Sequence, residues 1–324
     1  MTHAIRFHRT GGPEVLVWEE IQVGKPGPGE VRIRHTAVGL NFVDIYFRSG
    51  LYPVPLPSGL GGEGAGVVLE TGSGVTGLKS GDRVAYGAAP IGAYAEERLI
   101  PADRLLKLPD GVDDKTAAAM MLKGLTVQYL IRQTYRVKSG DTILLHAAAG
   151  GVGLILSQWA KHLGATVIGT VGNDEKAALA KAHGCEHTIV YSREDFVKRL
   201  DELTQGKKVP VVYDSVGKDT FLRSLDCLAP LGVAALFGQS SGPVDPLNLG
   251  LLAQKGSLYV TRPTLNTYAA RHESLVSMAK ELFDVVLSGA VKIEVRQTYP
   301  LKDAARAHAD LAARKTTGST VFLV

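Results

Sequence analysis

The run Thr142-Ile143-Leu144-Leu145-His146-Ala147-Ala148-Ala149-Gly150-Gly151-Val152-Gly153 has the residue types and spacing best suited to chemistry. It opens as a short apolar stretch that reads as a buried parallel strand, placed at 142–147. Ser139-Gly140-Asp141 precedes it as a turn, and Leu154 to Leu163 follows with apolar residues at helical spacing. Glycines where a strand becomes a helix let backbone approach a ligand with no Cβ in the way. The N–H groups left over at the helix start favour an anion. The G-x-G-x-x-G spacing is present with Ala148 in its first place, then Gly150 and Gly153, with Gly151 and Val152 between them. In this setting the pattern predicts a cradle for the pyrophosphate of a dinucleotide.

The next strand, Thr166 to Val171, bears on which dinucleotide. A site for NAD usually closes this strand with an acid that bonds the ribose 2′-hydroxyl. Here the closing residue is Gly172, and Asn173-Asp174-Glu175-Lys176 follows. Lys176, on the first turn of the next helix, is placed to meet an additional phosphate, so NADP(H) is the expectation. The alternative is that Lys176 is a solvated helix residue and Asp174 is the ribose acid displaced by two positions.

The surrounding elements divide the chain. Residues 1–122 read as mostly strand, with turns at Gly11-Gly12-Pro13, Pro26-Gly27-Pro28-Gly29 and Ser80-Gly81-Asp82, which suggests a small β-barrel-like domain. From 123 to 260 strands at 142–147, 166–171, 187–190, 210–213, 233–237 and 257–260 alternate with helices at 151–163, 175–183, 193–204 and 219–228. Such alternation predicts α/β architecture with a doubly wound parallel sheet. The tail, 261–324, carries a helix (Arg271 to Ser288), a strand (Glu294 to Tyr299), a helix (Leu301 to Arg314) and a last strand (Ser319 to Val324). Its strand Glu294 to Tyr299 lacks a nucleotide-fold pattern, so the tail is expected to complete the first domain.

Composition limits the partners. The 324 residues suit two domains, and 45% hydrophobic with 21% charged residues is ordinary for a globular enzyme. A net charge of +4 with scattered basic residues argues against nucleic acid. Two cysteines, Cys185 and Cys227, make no disulfide framework. The first residues lack a signal-peptide core, and no apolar run reaches bilayer length, so a cytoplasmic protein without a membrane partner is expected.

The whole chain resembles the quinone oxidoreductase (zeta-crystallin) family of medium-chain dehydrogenase/reductases. The resemblance rests on Gly140-Asp141, Leu144, Ala148-Ala149-Gly150-Gly151, Gly153, Gln158 and Lys161. It extends to Asn41-Phe42-Val43-Asp44, Ser49-Gly50-Leu51-Tyr52-Pro53, Gly81-Asp82-Arg83-Val84, Lys123-Gly124-Leu125-Thr126, Tyr213-Asp214-Ser215-Val216-Gly217 and Thr261-Arg262-Pro263. It implies a Rossmann domain for NADPH at 123–260 and a GroES-like catalytic domain at 1–122, completed by 261–324. It further implies that Gly150, Gly151, Val152 and Gly153 hold the pyrophosphate, and that Gly172, Lys176 and Tyr191 form the 2′-phosphate pocket with Arg314 as a further contact. Phe237, Gly238 and Ser240 match nicotinamide-side contacts. Asn41, Tyr46, Tyr52 and Thr126 match positions lining the nicotinamide end and the substrate cleft. Plainer roles stay open: Tyr46 and Tyr52 packing a loop, Tyr191 as an amphipathic strand residue, Arg314 as a solvated helix end.

The wider superfamily includes zinc alcohol dehydrogenases. A catalytic zinc needs three protein ligands and an open position. Where the zinc enzymes have a Cys this chain has Asn41, and where they have the His of a Gly-His-Glu it has Gly62. Two cysteines cannot supply a structural zinc loop. His146, His162, His183 and His187 form no ligand-spaced pair, so no metal is expected.

Without a Lewis acid, alcohol oxidation is disfavoured. Hydride donation from NADPH to an acceptor that is already electrophilic is the reading preferred, a quinone first. The cleft is expected to stack the planar ring on the nicotinamide, with Asn41 and the hydroxyls of Tyr46 and Tyr52 near the developing oxyanion. The alternative in the same class is reduction of an enone or 2-alkenal double bond. A nucleic-acid-binding protein of the zeta-crystallin kind is the third and least favoured reading. A homodimer is expected, paired through the apolar edge strand near Ser257 to Thr261.

Overall fold

The computed structural model describes all of residues 1–324. The chain begins with β1 (Thr2–Phe7), β2 (Val17–Ile21), β3 (Glu30–Leu40), α1 (Phe42–Ser49), β4 (Ser58–Gly59), β5 (Gly64–Thr71), β6 (Arg83–Tyr86), β7 (Glu97–Pro101), β8 (Leu106–Lys107) and α2 (Asp114–Tyr129). It continues with β9 (Thr142–Leu145), α3 (Gly151–His162), β10 (Thr166–Val171), α4 (Asp174–Ala182), β11 (Cys185–Val190), α5 (Phe196–Thr204), β12 (Val209–Asp214), α6 (Phe221–Ser224), β13 (Leu228–Leu236), α7 (Gly250–Gln254) and β14 (Tyr259–Thr261). It closes with α8 (Leu265–Tyr268), α9 (His272–Leu287), β15 (Val295–Pro300), α10 (Ala304–Ala312) and β16 (Ser319–Leu323). No helix is long and apolar enough to cross a membrane.

Two compact units result. The first comprises Met1–Leu125, Tyr268–Leu287 and Ile293–Val324; the second comprises Thr126–Thr267 and Ser288–Lys292.

In the second unit six strands lie in the order β11-β10-β9-β12-β13-β14, every neighbouring pair parallel. This is the doubly wound Rossmann arrangement. The chain starts at β9 and works outward to one side, then starts again at β12 and works outward to the other. Such strands are buried on both faces, which is why they read as apolar runs and not as alternation. Leu144, Ile168, Val212 and Ala234 form the middle of their core.

In the first unit a seven-stranded sheet runs β15-β16-β3-β5-β6-β8, with β7 also paired to β3, and a three-stranded sheet runs β2-β1-β4. This is the GroES-like part of the α/β fold. The long β3 supports it, pairing antiparallel with β5, β7 and the C-terminal β16. Val31, Ile33 and Val38 of β3 are fully buried with Val68, Ile100 and Phe322.

Several elements differ from the sequence-based expectation. The 1–122 region, read as mostly strand, carries two helical elements that were not expected, α1 and the start of α2. Helix α1 is only 8 residues long, and Gly50, at φ 84°, ends it in the left-handed conformation. In α2, Ala117–Met121 are all buried. A segment apolar on every side shows no amphipathic period. Strand β9 stops at Leu145 and not at 147, because Ala147 turns at φ 55°. The expected helix 219–228 is α6 followed by a 3-10 turn at Leu225–Cys227. The expected strand 233–237 begins at Leu228, and the edge strand is Tyr259–Thr261. The helix expected to reach Arg314 ends at Ala312, and Arg314 itself has φ 58°.

Candidate functional site

The nucleotide half of the site lies in the second unit. Gly150 caps α3 in an extended conformation, with no side chain bonding the helix start. The first intrahelical bond runs from Leu154 N–H to Gly150 C=O, 2.9 Å. The N–H groups of Gly151, Val152 and Gly153 therefore have no partner within the helix. A Cβ at Gly153 would stand 2.5 Å from the Ala148 carbonyl oxygen and 2.6 Å from that of Ala147. Only glycine allows α3 to start this close to the end of β9. Open N–H groups, no cap and no side chain in the way are what a pyrophosphate requires, so the turn fits a dinucleotide.

Below this turn lies a closed polar network. His146 bonds Thr170 Oγ1 through Nδ1 (2.8 Å) and Ser224 Oγ through Nε2 (2.9 Å). Ser224 Oγ donates to Asp214 Oδ2 (3.1 Å), and Asp214 Oδ1 accepts the N–H groups of Val216 (2.8 Å) and Gly217 (3.1 Å). Burial lowers the His146 pKa and keeps the ring neutral. This histidine joins the ends of β9, β10 and β12, the strands that flank the switch point. Phe237 N–H bonds the Asp214 carbonyl (2.9 Å) and Ser240 N–H that of Ser215 (3.0 Å). A Cβ on Gly238 would meet the Ser215 carbonyl oxygen at 2.8 Å. Phe237, Gly238 and Ser240 thus sit on the Asp214–Val216 turn.

At the ends of β10 and β11 the structure brings Gly172 and Tyr191 together, and Lys176 lies on the first turn of α4, which follows. Tyr191 N–H bonds the Val171 carbonyl (3.1 Å), and a Cβ on Gly172 would be 3.1 Å from the Tyr191 hydroxyl. Asn173 caps α4, its Oδ1 accepting the Lys176 N–H at 2.9 Å. Thr126, buried, begins this unit, whereas the exposed Arg314 belongs to the first.

The first unit holds a buried polar cluster around Asn41. Asn41 Nδ2 donates to Glu63 Oε2 (2.8 Å), Lys123 Nζ donates to the same oxygen (2.7 Å), and Leu122 N–H donates to Oε1 (2.8 Å). A Cβ on Gly39 would collide with Glu63 Oε2 and the Ala118 carbonyl, so glycine there gives the carboxylate its room. The Asn41 backbone is held separately. Its N–H donates to Asp44 Oδ2 (2.9 Å), which also accepts from the Tyr94 hydroxyl (2.8 Å). The Tyr94 oxygen lies 3.1 Å from His308 Nε2, and Arg48 Nη1 donates to His308 Nδ1 (3.2 Å). These contacts assign the His308 proton to Nε2. Burial, reinforced by the Arg48 charge, pushes His308 down to about 3. Burial pushes the Asp44 carboxyl up to about 7 despite its bonds from Asn41 and Tyr94, and Asp44 Oδ1 has no partner.

Tyr46 is buried in an aromatic group with Tyr52 (ring centroids 5.2 Å) and Phe42 (5.7 Å). Tyr52 also packs on Phe47 (5.6 Å), and its N–H bonds the Tyr46 carbonyl (3.0 Å). Gly62 offers no side chain beside Glu63, and no group of three His, Cys, Asp or Glu could hold a metal ion. Sequence reasoning assigned no role to Glu63, Asp44, Lys123, Tyr94 or His308. The one available signal was Lys123, a charge inside the apolar stretch Ala117 to Leu125.

Comparison with known proteins agrees with this geometry. The family model described as "Alcohol dehydrogenase GroES-like domain" matches residues 27–110. The one described as "Zinc-binding dehydrogenase" matches residues 151–282. A quinone oxidoreductase of Pseudomonas aeruginosa is 59% identical over 324 residues, covering 100% of both chains. A 2-haloacrylate reductase of Burkholderia sp is 50% identical over 331 residues, covering 100% of this chain and 99% of its own. The crystal structure of Escherichia coli quinone oxidoreductase complexed with NADPH has a TM-score of 0.98 and 52% identity, covering 100% of each chain.

Proposed function

Because the chain belongs to the quinone oxidoreductase family, we propose that it reduces quinones with NADPH and needs no metal ion to do so. The observation that carries this reading is the full-length likeness to quinone oxidoreductases, one of them solved with NADPH, together with a turn at Gly150–Gly153 built for a pyrophosphate.

NADPH supplies a hydride when bound. The residues that would hold it are Gly150–Gly153 at the pyrophosphate, Gly172, Lys176, Tyr191 and Arg314 at the adenosine end, and Thr126, Phe237, Gly238 and Ser240 at the nicotinamide end. Asn41, Tyr46 and Tyr52 are the groups proposed to face the quinone. Glu63 takes one Asn41 amide hydrogen. The other is then free to donate to a carbonyl oxygen as it gains negative charge, an interaction stronger in the transition state than before it. The oxyanion takes its final proton from water.

Zinc independence is supported by the residues at the two ligand places, Asn41 and Gly62. Asn41 uses its side chain on Glu63, and glycine has no donor atom. A quinone accepts hydride without a Lewis acid, whereas a simple alcohol has to be activated. Metal analysis is expected to find no stoichiometric zinc, with activity unaffected by chelators. Stoichiometric zinc lost together with activity would reverse this part.

The deciding experiment is NADPH oxidation with benzoquinone and naphthoquinone, with alkenals and 2-haloacrylate, and with simple alcohols. Turnover of quinones and none of alcohols is expected. The haloacrylate reductase among the relatives favours a second reading, reduction of a conjugated double bond. Alkenals or haloacrylate turning over far faster than every quinone would put that reading first.

A homodimer formed along β14 is proposed as well. This strand ends the sheet, and Tyr259 (60% exposed) and Val260 (37%) present apolar surface there. Light scattering should give twice the chain mass at micromolar concentration, and Tyr259→Asp should give the single mass. A reduced, cytoplasmic setting is supported by Cys185 and Cys227. Both are free and buried, and burial pushes their thiols up to about 11 and about 12. Cell fractionation tests it.

A further inference from the structure

Beside the Gly172–Lys176 turn stands an exposed ion pair. Arg193 grips Asp174 with both ends of its guanidinium, Nη1 to Oδ2 at 2.6 Å and Nη2 to Oδ1 at 2.5 Å. The two side chains are 56% and 74% exposed, so the pair contributes little to stability. Its location is more telling. Asp174 is the first residue of α4, directly after the Asn173 cap, and Lys176 lies two residues on. Arg193 comes two residues after Tyr191, in the turn between β11 and α5. That turn is held firmly: Glu194 accepts the Val190 N–H (2.7 Å), and the N–H groups of Arg193 and Glu194 both bond the Val190 carbonyl (3.1 and 3.0 Å).

A carboxylate here presents a conflict. At the end of the second strand of such a fold, an acid serves the ribose 2′-hydroxyl of NAD and repels a 2′-phosphate. Asp174 stands two residues past Gly172, the residue that closes this strand, beside the turn that on the reading above takes the 2′-phosphate of NADPH. We propose that Arg193 is a specificity-determining residue that resolves the conflict. It occupies both oxygens of Asp174 and neutralises the carboxylate, so that a 2′-phosphate bound beside Lys176 would meet no bare anion there. Asp174 and Arg193 select the phosphorylated cofactor as a pair, and this role rests on the NADPH reading.

The test is equilibrium binding by calorimetry on the full chain, with NADP⁺ against NAD⁺ and with 2′,5′-ADP against 5′-AMP. Arg193→Ala should weaken NADP⁺ and 2′,5′-ADP by about ten-fold or more, while NAD⁺ and 5′-AMP bind as well as before or better. Adding Asp174→Asn to that variant should recover most of the loss, since the unmasked charge is then gone. Unchanged NADP⁺ binding in Arg193→Ala overturns the proposal, as does equal weakening of both cofactors. A double variant as weak as Arg193→Ala overturns the masking role and leaves only a direct contact. Wild-type protein that does not prefer 2′,5′-ADP to 5′-AMP would instead overturn the cofactor reading beneath it. Far-ultraviolet circular dichroism should be unaltered in every variant, as expected for an exposed pair.

Discussion

Lys123 Nζ lies 2.7 Å from Glu63 Oε2, with the two side chains 6% and 0% exposed. A fully buried ion pair is costly to form and more costly to break, because one remaining charge has no compensation. Glu63 is also what orients the Asn41 amide. Lys123→Met should therefore lower unfolding stability by roughly 3–5 kcal/mol. The double variant Glu63→Gln with Lys123→Met should recover a substantial part. Urea unfolding of the three proteins gives the comparison, and a single variant within experimental error of wild type would show that the pair is not needed.

The second prediction concerns pH and the chain Asp44–Tyr94–His308–Arg48. Asp44 titrates at about 7 in the fold, raised from 3.8. The protonated form favours the folded state, so its contribution is complete below 3.8 and lost as pH rises through about 7. His35 and His308 are held down to about 3 from 6.5, first by burial and then by the Arg98 and Arg48 charges respectively. Their contribution is complete above 6.5 and lost as pH falls toward 3. Below pH 6.5 the two histidines outweigh the single carboxyl, and stability falls with acid. Asp44→Asn removes the opposing slope. Its stability relative to wild type should improve between pH 4.5 and pH 7.5, read from thermal melts. A difference that stays constant with pH would contradict the Asp44 shift.

The third concerns the adenosine end. Lys176→Ala should weaken NADPH by roughly 1–3 kcal/mol, the worth of a charge-assisted contact, and leave NADH little changed. Titration of cofactor fluorescence measures both. Equal weakening would remove Lys176 from the 2′-phosphate pocket.

The fourth concerns the substrate end. Tyr52 packs edge-on against both Tyr46 and Phe47. Each such pair is worth about 1 kcal/mol beyond area. Tyr52→Ala should loosen Tyr46 and lower kcat/KM for a small quinone by about ten-fold, while NADPH affinity changes far less. Loss confined to NADPH binding would place Tyr52 elsewhere than at the substrate.

The nucleotide turn and the parallel, doubly wound character of the sheet were legible in the sequence, for physical reasons that are local; the order of the strands was seen only in the folded chain. A strand buried on both faces must be apolar along its length. A helix that starts against a strand end needs glycine at the contact, as Gly153 shows. The reading that no zinc is held was equally local, since it rests on the residue types at Asn41 and Gly62. The rest emerged only with folding. Asn41, Glu63 and Lys123 are far apart along the chain, and no periodicity connects them; β3, the segment leading into β5 and α2 bring the Asn41 amide and the Lys123 ammonium each to within 3 Å of the Glu63 carboxylate. The same holds for Asp44, Tyr94 and His308, where a carboxyl, a phenol and an imidazole from three separate segments meet out of water. Asp174 and Arg193 each read as ordinary surface charges. Only the parallel pairing of β10 with β11 sets the turn after one strand beside the turn after the other, and so turns two solvated residues into a bidentate pair. Burial and pairing are properties of the folded chain, and with them come the charge states on which the proposed chemistry depends.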